Sequence, residues 1–522
     1  MCKYTLLILF CFYSISVISQ NITAPDTITE NTIWNYDTVF VNNNVFIPDN
    51  IGLTIEPGTN IIITAYYCIN IQGNIKAKGT ETNKIKFTVS DTTNFSDTST
   101  ISGGWDGIIF DNTPATNDSS IFEYCILEYG KAIVDTSKGG VLYVNNFSKI
   151  RISNSIIQHN YSYKYGGGLY FENSSPIISN NEFYYNITFW YGGGIVIEGK
   201  STALINNNMF KYNSAYKLFY YGTSIILEGG CGSAVYVSYA ELYTTQNPLI
   251  INNRCYNNKT VAGAIYLSTY NAKAINNIIC NNYGNGIMNG HQLSHDIYIS
   301  NTICMNYTLY GGIKGSSNSL IIQNNVSWEN KRIENDPQID VSGSSTIEYN
   351  CIQGGYEGVG NISSEPEFVN PSPGVGLDYE GDIYDWSLSK NSPCINAGLP
   401  DTTGLYLPQY DLAGNLRIKH DTIDIGAYEY QLGINNIIDF TAFSKDFVLY
   451  PNPATDYINI SLSHNNQTNK FEIYDITGKL ILSEKLISTL TKIHITGLSK
   501  GLYFYRIKNN NKTIGTGKFI KQ

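Results

Sequence analysis

The stretch that decides the fold is Ile275-Asn276-Asn277-Ile278-Ile279-Cys280-Asn281-Asn282. It is one copy of a repeat aligned on its first isoleucine, and each aligned isoleucine has an asparagine two positions later. The aligned isoleucines are Ile152, Ile178, Ile205, Ile251, Ile275, Ile299 and Ile322. The copies are 26, 27, 46, 24, 24 and 23 residues apart; the longest interval equals two coils of 23, with an irregular coil or protruding loop expected in it. A period near 24 residues with short apolar strands and turn residues, without a helical pattern, predicts a solenoid of β-coils.

The aligned residues predict two columns along such a solenoid. Equivalent side chains of stacked parallel strands lie about 4.8 Å apart, so the isoleucines are expected to form a continuous internal column. Asparagine tolerates the left-handed backbone of a sharp corner, and stacked amides can hydrogen-bond along the stack. The predicted asparagine column consists of Asn154, Asn180, Asn207, Asn253, Asn277, Asn301 and Asn324.

The asparagine column resembles the asparagine ladder of right-handed parallel β-helix proteins, the pectate-lyase-like group. The opening of the chain, with a Pro57-Gly58-Thr59 turn and a Trp105-Asp106-Gly107-Ile108 strand, is similar to the first coils of secreted members. The resemblance implies an all-β fold, a right-handed parallel β-helix solenoid. Its cap and first coils are expected in residues 20–115 and its regular coils in residues 116–360.

Residues 361–431 differ in character from the coils. They contain Asp411-Leu412-Ala413-Gly414-Asn415-Leu416-Arg417 and Asp424-Ile425-Gly426-Ala427-Tyr428-Glu429-Tyr430, which resemble a segment called choice-of-anchor Q that follows bacterial β-helices. The resemblance implies a cap on the C-terminal end of the solenoid, in which Arg417 and Asp424 are expected to form a buried pair. Residues 432–445 are expected to be a linker.

The end of the chain, residues 446–522, resembles the sorting domain of the bacterial type IX secretion system. Four ordered motifs carry the resemblance, at residues 450–456, 473–479, 497–503 and 518–521. It implies a small antiparallel β-sandwich that interacts with the type IX secretion machinery. It also implies export across the outer membrane of a Bacteroidetes-type bacterium, followed by release or by attachment to the cell surface.

Composition and charge narrow the function classes. The net charge of −10 argues against a nucleic-acid partner, because phosphate binding needs a basic face. Residues 1–19 are predicted to be a secretory signal, with Lys3 before an apolar run and the small residues Val17 and Ser19 at the cleavage site. Beyond them no run reaches the roughly 18 apolar residues of a membrane-spanning helix, so no transmembrane segment is expected in the mature chain.

The eight cysteines that follow the signal segment contain no CxxC pair, so neither a metal site nor a cofactor is predicted. Cys280 and Cys304 occupy the same place in adjacent coils and are expected to point inward. The sequence leaves open whether they form a disulfide. His291, His295 and Asp296 are interpreted as a solvated loop, because two histidines four residues apart bind a metal on a helix, which this segment does not predict.

Enzymes that cleave acidic polysaccharides need clustered carboxylates, either to bind calcium or to act as acid and base. Between residues 136 and 335 the sequence has a single aspartate, Asp296, and its glutamates are predicted to be scattered through different coil positions. These glutamates are Glu172, Glu182, Glu198, Glu228, Glu241, Glu329 and Glu334. No catalytic residue is therefore predicted.

Aromatic residues are the better candidates for a binding site. The asparagine and the glycine of two successive coils are equally spaced, which places Tyr165 above Tyr191 and Tyr163 above Phe189. Exposed aromatic rings along a solenoid suit sugars, whose apolar faces stack on such rings. The predicted carbohydrate-binding residues are Tyr163, Tyr165, Phe189, Trp190, Tyr191, Tyr216, Tyr220, Tyr221 and Tyr310. The alternative is a packed aromatic column that only stabilises the coils.

The sequence therefore favours an exported β-helix protein, secreted or on the cell surface, that binds an extracellular glycan or mediates adhesion without catalysis. Two alternatives remain: a polysaccharide lyase or glycoside hydrolase, and a structural spacer at the cell surface. Carboxylates clustered in one groove would favour the enzyme, whereas an aromatic face without them would favour binding.

Overall fold

The computed structural model describes residues 20–134, 138–221, 224–238, 247–308, 310–332, 336–418, 422–431, 447–450, 454–462, 469–475, 477–486, 488, 490–509 and 512–522. The predicted signal segment 1–19 and the predicted linker 432–445 lie outside these residues. The chain divides into two compact units, Met1–Gln431 and Leu432–Gln522. Within the described ranges, no helix is both long enough and apolar enough to cross a membrane.

The first unit is a solenoid of parallel coils whose strands form three long sheets, here named A, B and C. A coil runs through sheet C, then sheet A and then sheet B, and its strands pair with the equivalent strands of the next coil. Alternate residues of a strand point into the interior, as the alternating burial of Gly52–Ile55 illustrates. The predicted all-β parallel solenoid is confirmed.

The strands of each sheet are given in chain order. Sheet A consists of Asn21–Thr23, Thr38–Val41, Asn60–Ile63, Ile85–Val89, Cys125–Glu128, Ile156–Gln158, Glu182–Tyr184, Met209–Lys211, Arg254–Tyr256, Ile278–Cys280, Thr302–Cys304, Val326–Trp328 and Cys351–Ile352. Sheet B consists of Val45–Ile47, Cys68–Ile71, Gly107–Asp111, Lys131–Ala132, Leu142–Asn145, Tyr161–Ser162, Leu169–Glu172, Ile187–Thr188, Ile195–Glu198, Ser214–Tyr221, Ser224–Gly229, Val235–Ser238, Lys259–Ser268, Tyr283–Asn289, Ile313–Gly315 and Ile339–Val341. Sheet C consists of Thr32–Trp34, Gly52–Ile55, Asn74–Lys78, Ser120–Glu123, Ile150–Ser153, Ile177–Ser179, Leu204–Asn206, Leu249–Ile251, Lys273–Ile275, Ile297–Ile299, Ile321–Gln323 and Thr346–Glu348.

The interior of the solenoid is one continuous apolar core. Ile152, Ile178 and Ile205 lie in register on sheet C and are fully buried. The column continues through Ile250, Ala274, Tyr298 and Ile322. The other predicted members point out of the core, where they pack with Leu405 and Ile423; they are Ile251, Ile275 and Ile299. The predicted column was therefore one residue out of register in three coils.

A buried column of asparagine amides follows the strands of sheet C. Each amide oxygen accepts the backbone N–H and the side-chain N–H of the preceding coil; Asn277 N and Nδ2, for example, both lie 2.9 Å from Asn301 Oδ1. The members are Asn181, Asn208, Asn253, Asn277, Asn301, Asn325 and Asn350. These bonds satisfy backbone and amide groups that the core shields from water.

This column corrects four of the seven predicted ladder positions. Asn253, Asn277 and Asn301 belong to it. The other four lie one residue earlier, where the backbone is left-handed with φ values of 52°, 59°, 54° and 59°; they are Asn154, Asn180, Asn207 and Asn324. The coils have asparagine at one or both of these positions. An isoleucine followed two residues later by an asparagine therefore occurs in two registers that differ by one residue.

A second amide column, which was not predicted, follows the strands of sheet A. Its members bond in the same way, and Asn282 Nδ2 lies 2.9 Å from Asn306 Oδ1. The column consists of Asn160, Asn186, Asn213, Asn258, Asn282, Asn306 and Asn330. Its sequence signal is the second asparagine pair of a coil, such as Asn281-Asn282.

The long interval of the repeat is one coil with an insertion rather than two coils. Leu204–Asn206 pairs directly with Leu249–Ile251, so no coil lies between these strands. Part of the additional sequence forms an antiparallel hairpin of Ser214–Tyr221 and Ser224–Gly229. The first two residues of the hairpin pair with Ile187–Thr188 of sheet B. The expected protruding loop is thus a hairpin that extends from sheet B.

The segment 361–431 was predicted to cap the end of the solenoid, but most of it packs along the outer face of sheet A. It contains the antiparallel strands Phe368–Asn370 and Asp385–Leu388 and the 3-10 turns Gly376–Asp378 and Gly381–Ile383. Cys280 and Cys304 are register partners with free thiols, and they are buried under this segment beside Trp386. The prediction that both cysteines point into the solenoid was therefore wrong.

The second unit contains two antiparallel sheets. One consists of Phe447–Tyr450, Tyr457–Leu462 and Leu490–His494, and the other of Asn469–Tyr474, Leu480–Lys485, Gly501–Asn509 and Lys512–Lys521. Ile458 and Ile460 of the first sheet share one buried core with Phe471 and Ile507 of the second. The small antiparallel β-domain predicted at the end of the chain is confirmed.

Candidate functional site

The outward surface of sheet B combines aromatic and charged side chains. Leu169–Glu172 shows the pattern: Leu169 and Phe171 belong to the solenoid core, whereas Tyr170 and Glu172 lie on the opposite side of the strand. A glycine-rich corner precedes the strand, and Gly166 there has a φ of 65°, which an L-residue rarely adopts. The corner and the alternation together fix which residues of each coil point outward.

Tyrosines of successive coils lie side by side on this surface. The register pairs Tyr143 with Tyr170 and Tyr236 with Tyr266. Val196 occupies the coil between Tyr170 and Tyr236. Four of five successive coils therefore have a tyrosine at the same outward position.

The ring of Tyr191 links this column to the corner before sheet B. Its centroid lies 5.5 Å from that of Tyr165 and 4.8 Å from that of Tyr236, and the Tyr236 and Tyr266 centroids are 5.4 Å apart. The rings stack coil on coil, so neighbouring rings cover each other's faces. Tyr170 is fully buried, whereas the other tyrosines are half-buried and offer ring edges and hydroxyl groups to a ligand.

Two carboxylates and a lysine lie beside these tyrosines. Glu172 and Glu198 are register partners on adjacent strands, which corrects their predicted placement at different coil positions. Lys138 Nζ lies 2.8 Å from Glu172 Oε2, and the Tyr170 hydroxyl donates a hydrogen bond to the Glu198 carboxylate. We call this set the tyrosine face: Tyr143, Tyr165, Tyr170, Tyr191, Tyr236, Tyr266, Lys138, Glu172 and Glu198.

The phenols of the tyrosine column on sheet B, Tyr143, Tyr170, Tyr236 and Tyr266, have raised pKa values and remain protonated at neutral pH. Burial is the main cause that raises the pKa of Tyr143 and of Tyr266 to about 12. Burial also raises the pKa of Tyr170 and of Tyr236, and the Glu198 carboxylate adds to the effect at Tyr170. Each hydroxyl is consequently a hydrogen-bond donor, and the two glutamates and the phenol oxygens are acceptors.

The predicted aromatic residues near the corner lie where the spacing places them. Tyr165 and Tyr191 belong to the tyrosine face. The Tyr163 and Phe189 rings meet edge to face at a centroid distance of 5.9 Å, and the Trp190 centroid lies 6.5 Å from that of Tyr191. Tyr163, Phe189 and Trp190 are half-buried, so part of each ring is accessible beside the tyrosine face.

Tyr216 and Tyr310 are not brought to the tyrosine face. The Tyr216 ring lies 6.1 Å from that of Tyr283. Tyr310 lies in a later coil, where its ring contacts Lys314. Tyr220 and Tyr221 belong by their backbone to the hairpin, and their side chains lie outside the described part of the chain.

Sequence reasoning missed Tyr143, Tyr170, Tyr236 and Tyr266. Their signal is a tyrosine at the second position of a strand, in the segments LYVN, LYFE, VYVS and IYLS. The segments between these strands differ in length, and one of them contains an insertion. The tyrosines therefore do not recur at a constant interval in the sequence.

A second aromatic column, also not predicted, lies at the corner between sheets A and B. Its rings stack at centroid distances of 5.7, 5.1 and 4.9 Å. The members are Tyr129, His159, Tyr185 and Tyr212, and all four have a left-handed backbone. Each precedes the glycine or asparagine that opens the next strand, so the column is set by the corner and not by a sheet.

Asp296, which was predicted to lie in a solvated loop, is not solvated. His295 is exposed, but Asp296 is fully buried. Its carboxylate accepts hydrogen bonds from Thr269 Oγ1 at 2.9 Å, from the Ala272 N–H at 2.6 Å and from Asn289 Nδ2 at 2.8 Å. Across the described residues, no three His, Cys, Asp or Glu side chains are grouped so as to hold a metal ion.

We expect Asp296 to make the stability of the solenoid depend on pH. Burial raises its pKa to about 7, whereas an unfolded aspartate titrates near 4. Between these pH values only the folded chain retains the proton, so the free energy of unfolding falls as the pH rises from about 4 to about 7. The test is denaturant unfolding of the wild type and of Asp296→Asn across this pH range. The free energy of unfolding of the variant is expected to fall less steeply with pH than that of the wild type. Equal pH dependence in the two proteins would contradict the prediction.

Comparisons with known proteins agree with this architecture. Residues 83–301 match the family described as right handed beta helix region, and residues 448–522 match the secretion system C-terminal sorting domain. No curated protein matches the chain. Among solved structures, the chain is similar to the crystal structure of pectate lyase Pel9A, with 16% identity and a TM-score of 0.38 over 72% of this chain and 89% of that chain.

The predicted β-helix and sorting domain are confirmed by these matches, while the choice-of-anchor Q resemblance of residues 361–431 stays a prediction. The export route follows from the sorting domain, which interacts with the secretion machinery. The chain is a right-handed parallel β-helix protein with a C-terminal sorting domain for type IX secretion, exported to the cell surface or the medium.

Proposed function

We propose that the tyrosine face binds an extracellular glycan without cleaving it. The observation that carries the proposal is the row of half-buried tyrosines Tyr143, Tyr236 and Tyr266 on sheet B, beside Glu172 and Glu198. The coil spacing of about 4.8 Å is comparable with the length of one sugar residue in an extended chain. Phenol hydroxyls donate to sugar oxygens, and the two carboxylates accept from sugar hydroxyls.

The half-buried rings at the corner supply the apolar part of such a site. Trp190 adjoins Tyr191 at one border of the tyrosine face. A sugar that contacts the tyrosine hydroxyls of the tyrosine face can place its apolar face against a ring at this border, because the border rings are only partly covered by their neighbours. The site thus combines hydrogen bonds from the tyrosine hydroxyls and carboxylates with apolar contacts from the aromatic rings at its border.

The arrangement of the carboxylates favours binding over hydrolysis. Glycosidases place two carboxyl groups on either side of the bond that is cleaved. Glu172 and Glu198 leave one sheet in the same direction from adjacent strands, so both would lie on one side of a bound sugar. Each is also engaged by a neighbour, Glu172 by Lys138 and Glu198 by Tyr170.

The test is a glycan array with the full chain, followed by titration of the best ligand. We expect Tyr191→Ala and Tyr236→Ala each to weaken binding about tenfold, equivalent to about 1.4 kcal/mol. Trp190→Ala is expected to weaken it to a similar extent. Tyr185→Asn is the matched control: it removes an exposed tyrosine from the other aromatic column and keeps a residue that tolerates a left-handed backbone.

Two results would contradict the proposal. Unchanged affinity in the combined Tyr191→Ala and Tyr236→Ala variant would show that the ligand binds elsewhere. New reducing ends or unsaturated products in the same reactions would show that the protein cleaves its ligand.

A further inference from the structure

A cleft of about 730 Å³ lies between the outer face of sheet A and the segment 361–431. The solenoid side contributes Tyr307, Trp328 and Glu329, and the segment contributes Glu365, Glu367 and Asp378. The cleft lies on a different sheet from the tyrosine face, so its chemistry is independent of the function proposed above.

The wall formed by the segment is held in place by polar contacts with the solenoid. Asn281 Nδ2 donates to Ser372 Oγ at 3.0 Å and to the Gly374 carbonyl at 2.9 Å, and Gly376 N donates to the Met305 carbonyl at 2.8 Å. Gly376 has a φ of 76°, and a Cβ there would lie 2.9 Å from the Tyr307 side chain. The cleft is therefore preformed, which lowers the entropy cost of binding.

The charge of the cleft is negative. Lys331 Nζ lies 2.6 Å from Glu329 Oε2, so that pair is close to neutral. The side chains of Glu365, Glu367 and Asp378 are exposed, and none has a hydrogen-bond or ion-pair partner among the residues that the structure describes. An acidic polysaccharide would be repelled here, whereas a cationic ligand is attracted.

The spacing of the carboxylates decides between a metal ion and a larger cation. No three acidic side chains in the described ranges are grouped closely enough to hold a metal. The negative charge is instead distributed along the cleft, which suits a ligand with several separated positive charges. Trp328 stacks on no other ring of the described chain and is half-buried, so it can contact an apolar surface.

We propose that this cleft binds an oligosaccharide of de-N-acetylated amino sugars. The ammonium groups of such an oligomer lie along its length and pair with Glu365, Glu367 and Asp378, and the apolar face of a sugar ring packs against Trp328. The N-acetylated oligomer has the same ring faces without the charges, so it lacks the ionic part of the recognition.

The test measures binding of a glucosamine oligomer to the full chain by calorimetry at pH 6, with the N-acetylglucosamine oligomer of the same length as ligand control. We expect at least tenfold weaker binding of the acetylated oligomer, and weaker binding of the glucosamine oligomer as salt increases. The combined Glu365→Gln, Glu367→Gln and Asp378→Asn variant is expected to lose at least tenfold in affinity.

A control variant removes three charges from the first coils, by Glu30→Gln, Glu56→Gln and Glu81→Gln, and is expected to bind like the wild type. Equal affinity for the two oligomers, or an equal loss in the control variant, would overturn the proposal. The combined Tyr191→Ala and Tyr236→Ala variant should also bind the glucosamine oligomer normally. Its failure to do so would assign this ligand to the tyrosine face instead.

Discussion

Replacing Asn208 with alanine is expected to lower the free energy of unfolding of the solenoid by about 3–5 kcal/mol. The Asn208 amide bonds to both neighbouring coils: its Oδ1 accepts from Asn181 N and Nδ2 at 3.0 Å, and its Nδ2 donates to the Ile178 carbonyl at 3.0 Å and to Asn253 Oδ1 at 3.0 Å. Alanine leaves the Asn181 N–H and the Ile178 carbonyl without these partners inside a core that excludes water. Unsatisfied buried groups of this kind cost about 1–3 kcal/mol each.

The preceding residue provides the matched control. Asn207 is exposed and left-handed, with a φ of 54°, and glycine adopts this conformation without strain. Asn207→Gly is therefore expected to change the free energy of unfolding by less than about 1 kcal/mol. Denaturant unfolding of both variants, followed by circular dichroism, distinguishes the two positions. A larger loss for Asn207→Gly than for Asn208→Ala would place the buried amides one residue earlier than the structure does.

The same pair of residues shows how far the sequence determines the fold. The period near 24 residues was sufficient to predict the solenoid, because every coil must present the same strands and corners to its neighbours. It was not sufficient to set the register, because Asn207 and Asn208 both satisfy a corner pattern. The choice between them depends on which side chain is buried, and a repeat of asparagine pairs does not contain that information.

The candidate site was predictable only near its corner. Tyr165 and Tyr191 precede glycine runs at equal spacing, so their stacking follows from counting residues. Tyr170 and Tyr236 lie two coils apart, but a hairpin insertion separates them in the sequence. Counting along the repeat therefore could not place them on one surface.

The position of the segment 361–431 was not predictable from the repeat at all. Its contacts join residues that are far apart in the chain, such as Arg254 Nη2 with the Leu412 carbonyl at 2.7 Å. The outward isoleucines that the segment covers, Ile251, Ile275 and Ile299, have the same pattern as core residues in the sequence. A segment that packs along the side of the solenoid differs from an end cap in covering a second apolar surface, which points out of the core. The sequence does not distinguish the residues of that surface from core residues.

Arg417→Met is expected to destabilise this segment by about 3–5 kcal/mol. Arg417 is fully buried, with Nη1 2.9 Å from Glu429 Oε1 and Nη2 donating to the Gly426 carbonyl at 2.6 Å and to the Asp424 carbonyl at 3.2 Å. Glu429, rather than the predicted Asp424, is thus the carboxylate that pairs with Arg417. Methionine fills a similar volume but leaves Glu429 buried without its cation.

The measurement is the rate of proteolytic cleavage within residues 361–431 of the full chain, with Arg254→Met as the matched control. Arg254 also bonds to the segment, but it is only half-buried, so water can replace its contacts and its loss is expected to cost about 1 kcal/mol. Burial raises the pKa of Glu429 to about 8 although Arg417 lowers it, so the stranded carboxyl in Arg417→Met keeps its proton to a still higher pH. The deficit of Arg417→Met should consequently grow as the pH rises above about 8, where only the wild type has the cation that stabilises the ionised carboxylate. A deficit that is independent of pH, or one no larger than that of Arg254→Met, would mean that the Arg417–Glu429 pair does not stabilise the segment.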